Sequence, residues 1–124
     1  MDFQPKFPAH IFRAYDIRGK LDVMSAELIR AIAQALATQY LKTGQTRLAI
    51  GYDARQSSPA FAEIIYKECL TQGLDAKIIG CCASPVLYYT ARQFDGSGIM
   101  VTASHNPRSA NGIKWIMQGE PPLP

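Results

Sequence analysis

The chain has 124 residues, of which 48% are hydrophobic and 19% are charged, and its formal net charge is +3. These values are ordinary for one globular domain with its own core. No stretch approaches the roughly 20 apolar residues that a membrane helix needs. No block of lysine and arginine is present, which disfavours nucleic acid as a partner, and the mild positive charge suits small anionic substrates better.

The first ten residues lack the layout of a signal peptide, so we expect a cytoplasmic protein with neither a membrane nor a nucleic-acid partner. The three cysteines, Cys69, Cys81 and Cys82, form no disulfide framework and no C-x-x-C metal pair. We expect them to be reduced and mostly buried.

The first predicted elements are a strand and a helix. Residues 11–19 alternate roughly in polarity and end in a glycine, which predicts a strand followed by a turn. From Ser25 to about Lys42 the apolar residues recur at helical spacing, with Ser25 as the expected cap and Gly44 as the stop. The stripe that this helix should bury comprises Leu28, Ile29, Ile32, Leu36 and Tyr40.

Short apolar runs then alternate with two more helices. Ser58 and Pro59 predict a helix start, with the serine as cap, and a shorter helix runs from Pro85 to about Phe94. Four buried strands are predicted at residues 48–51, 76–79, 99–101 and 113–116. This alternation predicts a three-layer α/β/α domain with a mixed, largely parallel sheet of about four strands. We expect the domain to span residues 1–118 and the proline-rich residues 119–124 to be a linker or a cut end.

Two polar loops follow predicted strands, at residues 52–57 and 102–108. Ligands of such sheets bind beyond the carboxyl ends of the strands, so both loops are candidates for a site. Asp53 and Arg55 in the first loop are expected to pair as a loop anchor. The second loop delivers Ser104, and a turn at Asn111-Gly112 is expected to return Lys114 to the same edge. Its sequence is neither a G-x-S-x-G elbow nor a phosphate-binding P-loop, and on composition alone a plain polar turn remains open.

Four segments together resemble one enzyme family, the α-D-phosphohexomutases of the phosphomannomutase/phosphoglucomutase kind. The segment T-A-S-H-N-P at residues 102–107, followed by N-G-I-K at 111–114, resembles the family's phosphoserine loop. F-R-A-Y-D-I-R-G at 12–19 resembles its N-terminal signature, G-Y-D-A-R at 51–55 its G-x-D-x-R segment, and S-P-V-L-Y-Y at 84–89 its T-P-x-x-x-Y segment. The four occur in the family's order and cover nearly the whole chain.

The resemblance implies an isomerase of carbohydrate metabolism that moves a phosphoryl group within a hexose phosphate. The family's serine donates its phosphoryl group to the sugar, a hexose 1,6-bisphosphate forms and reorients, and the other phosphate returns to the serine. By resemblance Ser104 is the phosphoserine and one Mg²⁺ ligand, and the remaining metal ligands belong to another domain. The implied catalytic residues also include Arg18, His105 and Lys114, whereas Tyr15 and Asn106 contact the sugar or hold the loop.

The chain also departs from the family's pattern. The Asp-rich metal loop of D-G-D-x-D-R type, the sugar-recognition loop and the C-terminal phosphate loop do not occur in these residues. We therefore expect this chain alone to have negligible mutase activity and to depend on the enzyme's other domains, or to self-associate through the surface meant for them. The alternative is a non-catalytic module that binds phosphosugars or other proteins. The preference among mannose, glucose and other hexose phosphates stays open.

Overall fold

The computed structural model describes residues 12–13, 16–103 and 106–117. Its strands are β1 (Phe12–Arg13), β2 (Asp16–Lys20), β3 (Arg47–Tyr52), β4 (Asp75–Cys81), β5 (Gly98–Val101) and β6 (Ala110–Ile116). Its helices are α1 (Ala26–Lys42), α2 (Ser58–Thr71) and α3 (Ser84–Ala91), the last extended by a 3₁₀ turn (Arg92–Phe94). The predicted ends of the domain, residues 1–11 and 118–124, lie outside the described residues.

The strands form one mixed sheet in the order β1-β2-β6-β5-β3-β4. The α/β/α class and the mixed sheet are confirmed, but the described sheet has six strands where about four were predicted. It is also less parallel than predicted, because only β3–β4 and β3–β5 pair in parallel. The loop from β5 to β6 is too short for a helical crossover, which needs a dozen or more residues, so β6 returns antiparallel.

Helix α1 follows its sequence pattern closely. Ser25 caps it as predicted, since its Oγ accepts a hydrogen bond from the Leu28 backbone N at 3.1 Å. The predicted stripe faces the sheet, although Leu28 is only half-buried. Tyr40 is fully buried, and its hydroxyl lies 3.0 Å from the Gly98 carbonyl oxygen and 2.8 Å from that of Ile116. This hydroxyl provides a polar partner where α1 crosses β5 and β6.

The start of α2 differs from the prediction in one respect. Ser58 is the first helical residue and not the cap, and Ser57 in the cap position makes no side-chain capping bond. The Ser58 hydroxyl donates instead to Asp53 Oδ1 at 2.5 Å. A charged acceptor makes a stronger hydrogen bond than a neutral one, which explains why this serine is directed away from the helix end.

The two faces of the sheet differ. Helices α1 and α2 cover one face, where Ile17, Ile50, Ile99 and Ile113 join a single core cluster. On the other face α3 packs against β3 and β5 through Leu87, which contacts Ala49 and Met100. Met100 pairs with Lys114, and Lys114 pairs with Asp16. Because paired residues share a face of a sheet, the α3 face becomes polar along β6 and β2.

The predicted turn at Asn111-Gly112 is wrong, because both residues lie inside β6. Asn111 is fully buried yet satisfied, since its Nδ2 donates to the hydroxyls of Ser57 at 2.7 Å and Ser58 at 3.0 Å. Gly112 lies against β2, where any Cβ would collide with the Ile17 carbonyl. An Asn-Gly pair usually marks a turn, but here it lies in a strand that packs closely against its neighbour.

The three cysteines are all free, as expected, but only Cys69 is buried; Cys82 is half-buried and Cys81 is exposed. Cys81 is the last residue of the edge strand β4, which explains its exposure. None of the helices in the described residues has the length and apolar character required to span a bilayer.

Candidate functional site

Two loops meet beyond the carboxyl ends of neighbouring parallel strands. Tyr52 at the end of β3 pairs with Val101 at the end of β5, so the chain leaves both strands at one edge of the sheet. The Asp53 backbone N still bonds to the Val101 carbonyl oxygen at 3.0 Å. The loop after β3 therefore lies beside residues 102–109, the loop that contains Ser104.

Arg18 reaches this second loop from β2. Its Nη1 donates to Asn106 Oδ1 at 3.1 Å, and its Nη2 donates to Asp16 Oδ2 at 3.1 Å. The backbone N of Asn106 bonds to the Ala103 carbonyl oxygen at 3.1 Å, so the two residues that flank Ser104-His105 lie close together. The structure thus brings Arg18 into contact with Asn106, which follows the predicted phosphoserine by two residues in the sequence.

Lys114 lies on β6, directly across from Asp16 and on the same face of the sheet as Arg18. It is half-buried, and its ammonium makes no ion pair with any residue that the structure describes. A lysine on the face of a strand, whose ammonium has no carboxylate partner among the described residues, is suited to bind an anion from outside this domain.

Three predicted site residues lie outside the described residues: Tyr15, Ser104 and His105. Their predicted roles stay predictions. Of the six predicted site residues, the structure therefore places Arg18 on β2, Asn106 in the loop and Lys114 on β6.

Two groups that the sequence analysis did not single out lie at the same face. Asp16 orients Arg18, and its second oxygen, Oδ1, is buried with no partner among the described residues. The Tyr88 hydroxyl is buried without a described partner too. Burial, and secondarily the negative charge of Asp16, raise the pKa of Tyr88 to about 12. The i, i+2 spacing of Asp16 and Arg18 in a strand could have predicted that Asp16 contacts Arg18. No pattern in the sequence predicted a site role for Tyr88.

Arg18 also retains unused hydrogen-bonding capacity. Its Nε is buried and has no partner in the described part of the chain. A guanidinium with an unsatisfied buried donor is unusual in a folded protein, where such groups almost always find an acceptor. Oxygens of a phosphate are the acceptors that an arginine fork matches best.

Asp53 and Arg55 form the predicted pair, with Arg55 Nε 3.0 Å from Asp53 Oδ2. Arg55 Nη1 also donates to the carbonyl oxygens of Pro107 at 2.8 Å and Ala110 at 3.1 Å. These bonds confirm the expectation that the pair anchors a loop. Around them lies an open cleft of about 640 Å³, lined by Leu21, Asp53, Ala54, Arg55, Gln56, Ser57, Asn106 and Arg108.

The described residues offer no metal cage. No group of three or more His, Cys, Asp or Glu side chains in residues 16–103 and 106–117 lies close enough to hold an ion. Asp16 and Asp53 are each committed to an arginine. These ranges therefore do not fit a Mg²⁺ site by themselves.

Comparison with known proteins identifies the family. The family model "Phosphoglucomutase/phosphomannomutase, alpha/beta/alpha domain I" matches residues 9–124. This chain belongs to that family. The phosphomannomutase/phosphoglucomutase of Pseudomonas aeruginosa is 40% identical to this chain over 118 residues, or 94% of this chain and 26% of the relative. The phosphoglucomutase of Neisseria meningitidis is 38% identical over 112 residues, or 89% of this chain and 24% of the relative.

Two solved structures share the fold of this chain. A phosphoglucomutase/phosphomannomutase family protein from Burkholderia thailandensis superimposes with a TM-score of 0.83 at 29% identity, over 91% of this chain and 27% of that one. A structure described as a putative phosphomannomutase from Thermus thermophilus gives a TM-score of 0.84 at 26% identity, over 90% of this chain and 26% of that one. The chain thus spans about a quarter of the length of the relatives that it matches.

Proposed function

We propose that this chain is the phosphoserine-bearing domain of a phosphomannomutase/phosphoglucomutase. The whole enzyme would interconvert hexose 1-phosphate and hexose 6-phosphate through a bisphosphorylated sugar. The single observation that carries the proposal is Arg18, which is held by Asp16 and by Asn106, two residues after Ser104 in the chain, and whose buried Nε has no partner among the described residues. Membership in the domain I family supports it.

In the proposed reaction, the bond from phosphorus to Ser104 Oγ breaks as a bond from phosphorus to a sugar hydroxyl oxygen forms. The hydroxyl proton passes to a base, for which His105 is the candidate. Reversal of these events from the other phosphate of the bisphosphate reloads the serine. Such transfer depends on alignment and on neutralising the phosphate oxygens more than on covalent help from the protein.

The described cations have distinct proposed roles. Arg18 would present its fork to oxygens of the transferring phosphate, while Asp16 and Asn106 keep that fork oriented. Lys114 would supply a compact positive charge from the neighbouring strand. Asn106 thereby holds the loop, and Tyr15 is the candidate for contact with the sugar.

The proposal requires groups from outside this chain. Mg²⁺ would neutralise the phosphate on Ser104, with its other ligands on segments of the relatives that these residues do not span. We expect the 124 residues alone to have negligible mutase activity for the same reason. Val86 and Tyr89 on α3 are 51% and 67% exposed, and they are candidates for coverage by a further domain or by self-association. Free cysteines, one of them exposed, fit a reducing cytoplasm.

The test is a chimera in which this chain replaces the matching 118-residue segment of the Pseudomonas aeruginosa relative. After incubation with glucose 1,6-bisphosphate and Mg²⁺, intact-mass analysis should find one phosphate on the chimera and none on its Ser104→Ala variant. Ser109→Ala removes an exposed hydroxyl from the same loop and is the matched control, which should still take up phosphate. Phosphate on the Ser104→Ala variant, or a folded chimera that takes up none, would refute the proposal.

A further inference from the structure

The loop at residues 102–109 is held at both ends by two residues of the neighbouring loop, Asp53 and Arg55. At its start, the Asp53 backbone N donates to the Val101 carbonyl oxygen at 3.0 Å, and the Thr102 side chain helps to lower the pKa of the Asp53 carboxyl group. At its end, the Arg55 guanidinium donates to the carbonyl oxygens of Pro107 and Ala110, 2.8 and 3.1 Å away. The two residues of the pair are joined directly at 3.0 Å.

The arginine uses its fork in a way that no other side chain reproduces. Nε holds Asp53 while Nη1 spans two carbonyls, which requires rigid, planar donors pointing in different directions. The side chains of Arg55 and Asp53 are only 12% and 22% exposed, so water screens these bonds less than it screens an ordinary surface pair. A lysine at position 55 would keep the positive charge, but its single ammonium would not reach Asp53 and both carbonyl oxygens at once.

A buried layer supports the ion pair from below. Asp53 Oδ1 accepts from the Ser58 hydroxyl at 2.5 Å and from the Arg55 backbone N at 3.0 Å. Ser58 in turn accepts from Asn111 Nδ2 at 3.0 Å. Asn111 belongs to β6, the strand that the loop enters, so α2, β6 and the loop after β3 are tied into one network.

Two other elements also contact the described residues of the loop: Arg18 donates to the Asn106 side chain at 3.1 Å, and the Leu21 backbone N donates to the Ser109 carbonyl oxygen at 2.8 Å. Pro107, Arg108 and Ser109 are exposed, and Asn106 is half-buried. Segments with few buried apolar contacts open locally at low free energy, and ordering each backbone residue costs about 1–2 kcal/mol. In-line transfer tolerates little such freedom, since a displacement of about 1 Å can lower a rate by about a hundredfold.

We propose that Asp53 and Arg55 are positioning residues that set the geometry of the Ser104 loop for phosphoryl transfer, without touching the phosphate. This inference rests on the proposed function of Ser104. It assigns the pair a role in turnover beyond holding the fold, because its bonds run to the loop on both sides of the reactive serine.

The main experiment compares two matched substitutions in the chimera. Arg55→Lys should lower kcat by about tenfold to a hundredfold and change KM less than about twofold, because alignment fails while the substrate contacts remain. Arg47→Lys is the control, since Arg47 pairs with Asp75 and lies over Phe94 at the start of β3, the end of the strand away from Arg55. It should leave kcat and KM unchanged.

A second measurement records the loop directly in the 124-residue chain. Backbone ¹⁵N relaxation of Asn106, Arg108 and Ser109 should show greater motion on the ps–ns timescale in Arg55→Lys than in Arg47→Lys. Asp53→Asn provides a second variant and should change both readouts in the same direction. Greater loop motion in a chain whose Ser104 takes up no phosphate would refute the proposed function and leave the loop attachment standing. Equal kcat in the two lysine variants, or a loss confined to KM, would overturn the positioning role.

Discussion

Gly112→Ala tests whether the close approach of β2 and β6 sets the stability of the strand that carries Arg18. A Cβ at this position would lie 2.5 Å from the Ile17 carbonyl oxygen and 2.8 Å from the Arg18 Cβ. Unstrained carbon contacts need about 3.5–4.0 Å, so β2 must retreat by roughly 1 Å. Overpacking of this kind costs about 1–3 kcal/mol.

At about 2 kcal/mol, the melting temperature of a domain of this size should fall by roughly 6–12 °C. Thermal unfolding followed by circular dichroism measures that shift. Amide hydrogen exchange shows which strands are destabilised: the amides of β2 and β6 should exchange faster, while those of β3 and β4 stay protected. Ile113→Val is the control, since it removes one methylene from the opposite face of the same strand and should cost about 0.5–1.5 kcal/mol without moving β2.

An unchanged melting temperature for Gly112→Ala would contradict the crowding argument. So would faster exchange spread evenly over all strands, because the collision involves only the β2–β6 pair. A loss no larger than that of Ile113→Val, with no local exchange effect, would show that β2 yields freely and that its position is not fixed by β6.

Two further predictions concern titratable groups. Burial acts to raise the pKa of Asp53, but interactions with Ser58, Thr102 and Arg55 outweigh it and hold the pKa below its usual value. The carboxylate therefore stabilises the fold above its unfolded pKa of about 3.9, and this stabilisation is lost as the pH falls through the folded pKa. Asp53→Asn should lower the unfolding free energy by about 1–2 kcal/mol at pH 7, and urea titrations at pH 7 and pH 3 should show the gap closing; an equal gap at both would refute the assignment. Burial, and then the nearby Glu68, raise the pKa of Cys69 from 9.0 to about 12, which lowers its thiolate fraction near pH 8 by about a thousandfold. A thiol reagent monitored by peptide mapping should therefore modify the exposed Cys81 in the folded chain and Cys69 only after unfolding, and early modification of Cys69 would be inconsistent with its burial.

The sequence predicted the elements whose apolar pattern is strong. Helix α1 carries its signal in an unbroken stripe, and β3 and β5 are short apolar runs buried from both sides. The width of the sheet was underestimated because residues 11–19, predicted as one strand from their alternating polarity, were not counted with the four buried strands, whereas the structure has both β1 and β2 there. Strand β2 alternates Asp16, Ile17 and Arg18, so that it presents one apolar residue to the core and two charges to the other face. Strands of that kind lack the continuous apolar run on which the count of about four depended.

The sequence predicted the residues of the site better than their long-range contacts. The order of the motifs pointed to Arg18, Asn106 and Lys114 before any geometry was known, and the structure brings Arg18 and Asn106 into contact. What local sequence could not show was long-range bonding: Asn111 contacts Ser57 and Ser58 more than 50 residues away. Asn-Gly predicts a turn because turn preferences depend only on neighbouring residues in the sequence. In this fold the pair instead lies where β6 packs against β2 and α2, which are distant in the sequence.

The loop that contains Ser104 lies between two Asp-x-Arg units of the same design. In each, the aspartate accepts from the arginine two residues later, at 3.1 Å for Asp16 and Arg18 and at 3.0 Å for Asp53 and Arg55. Arg55 directs its remaining described bonds to backbone carbonyls of the loop, as a structural support does. Arg18 directs one to the Asn106 side chain, and its buried Nε has no partner in the part of the chain that the structure describes, as expected of a group that binds an anion. The same i, i+2 spacing therefore gives a structural attachment on one side of the loop and a candidate phosphate contact on the other, and the difference lies in which arginine donors have partners among the described residues.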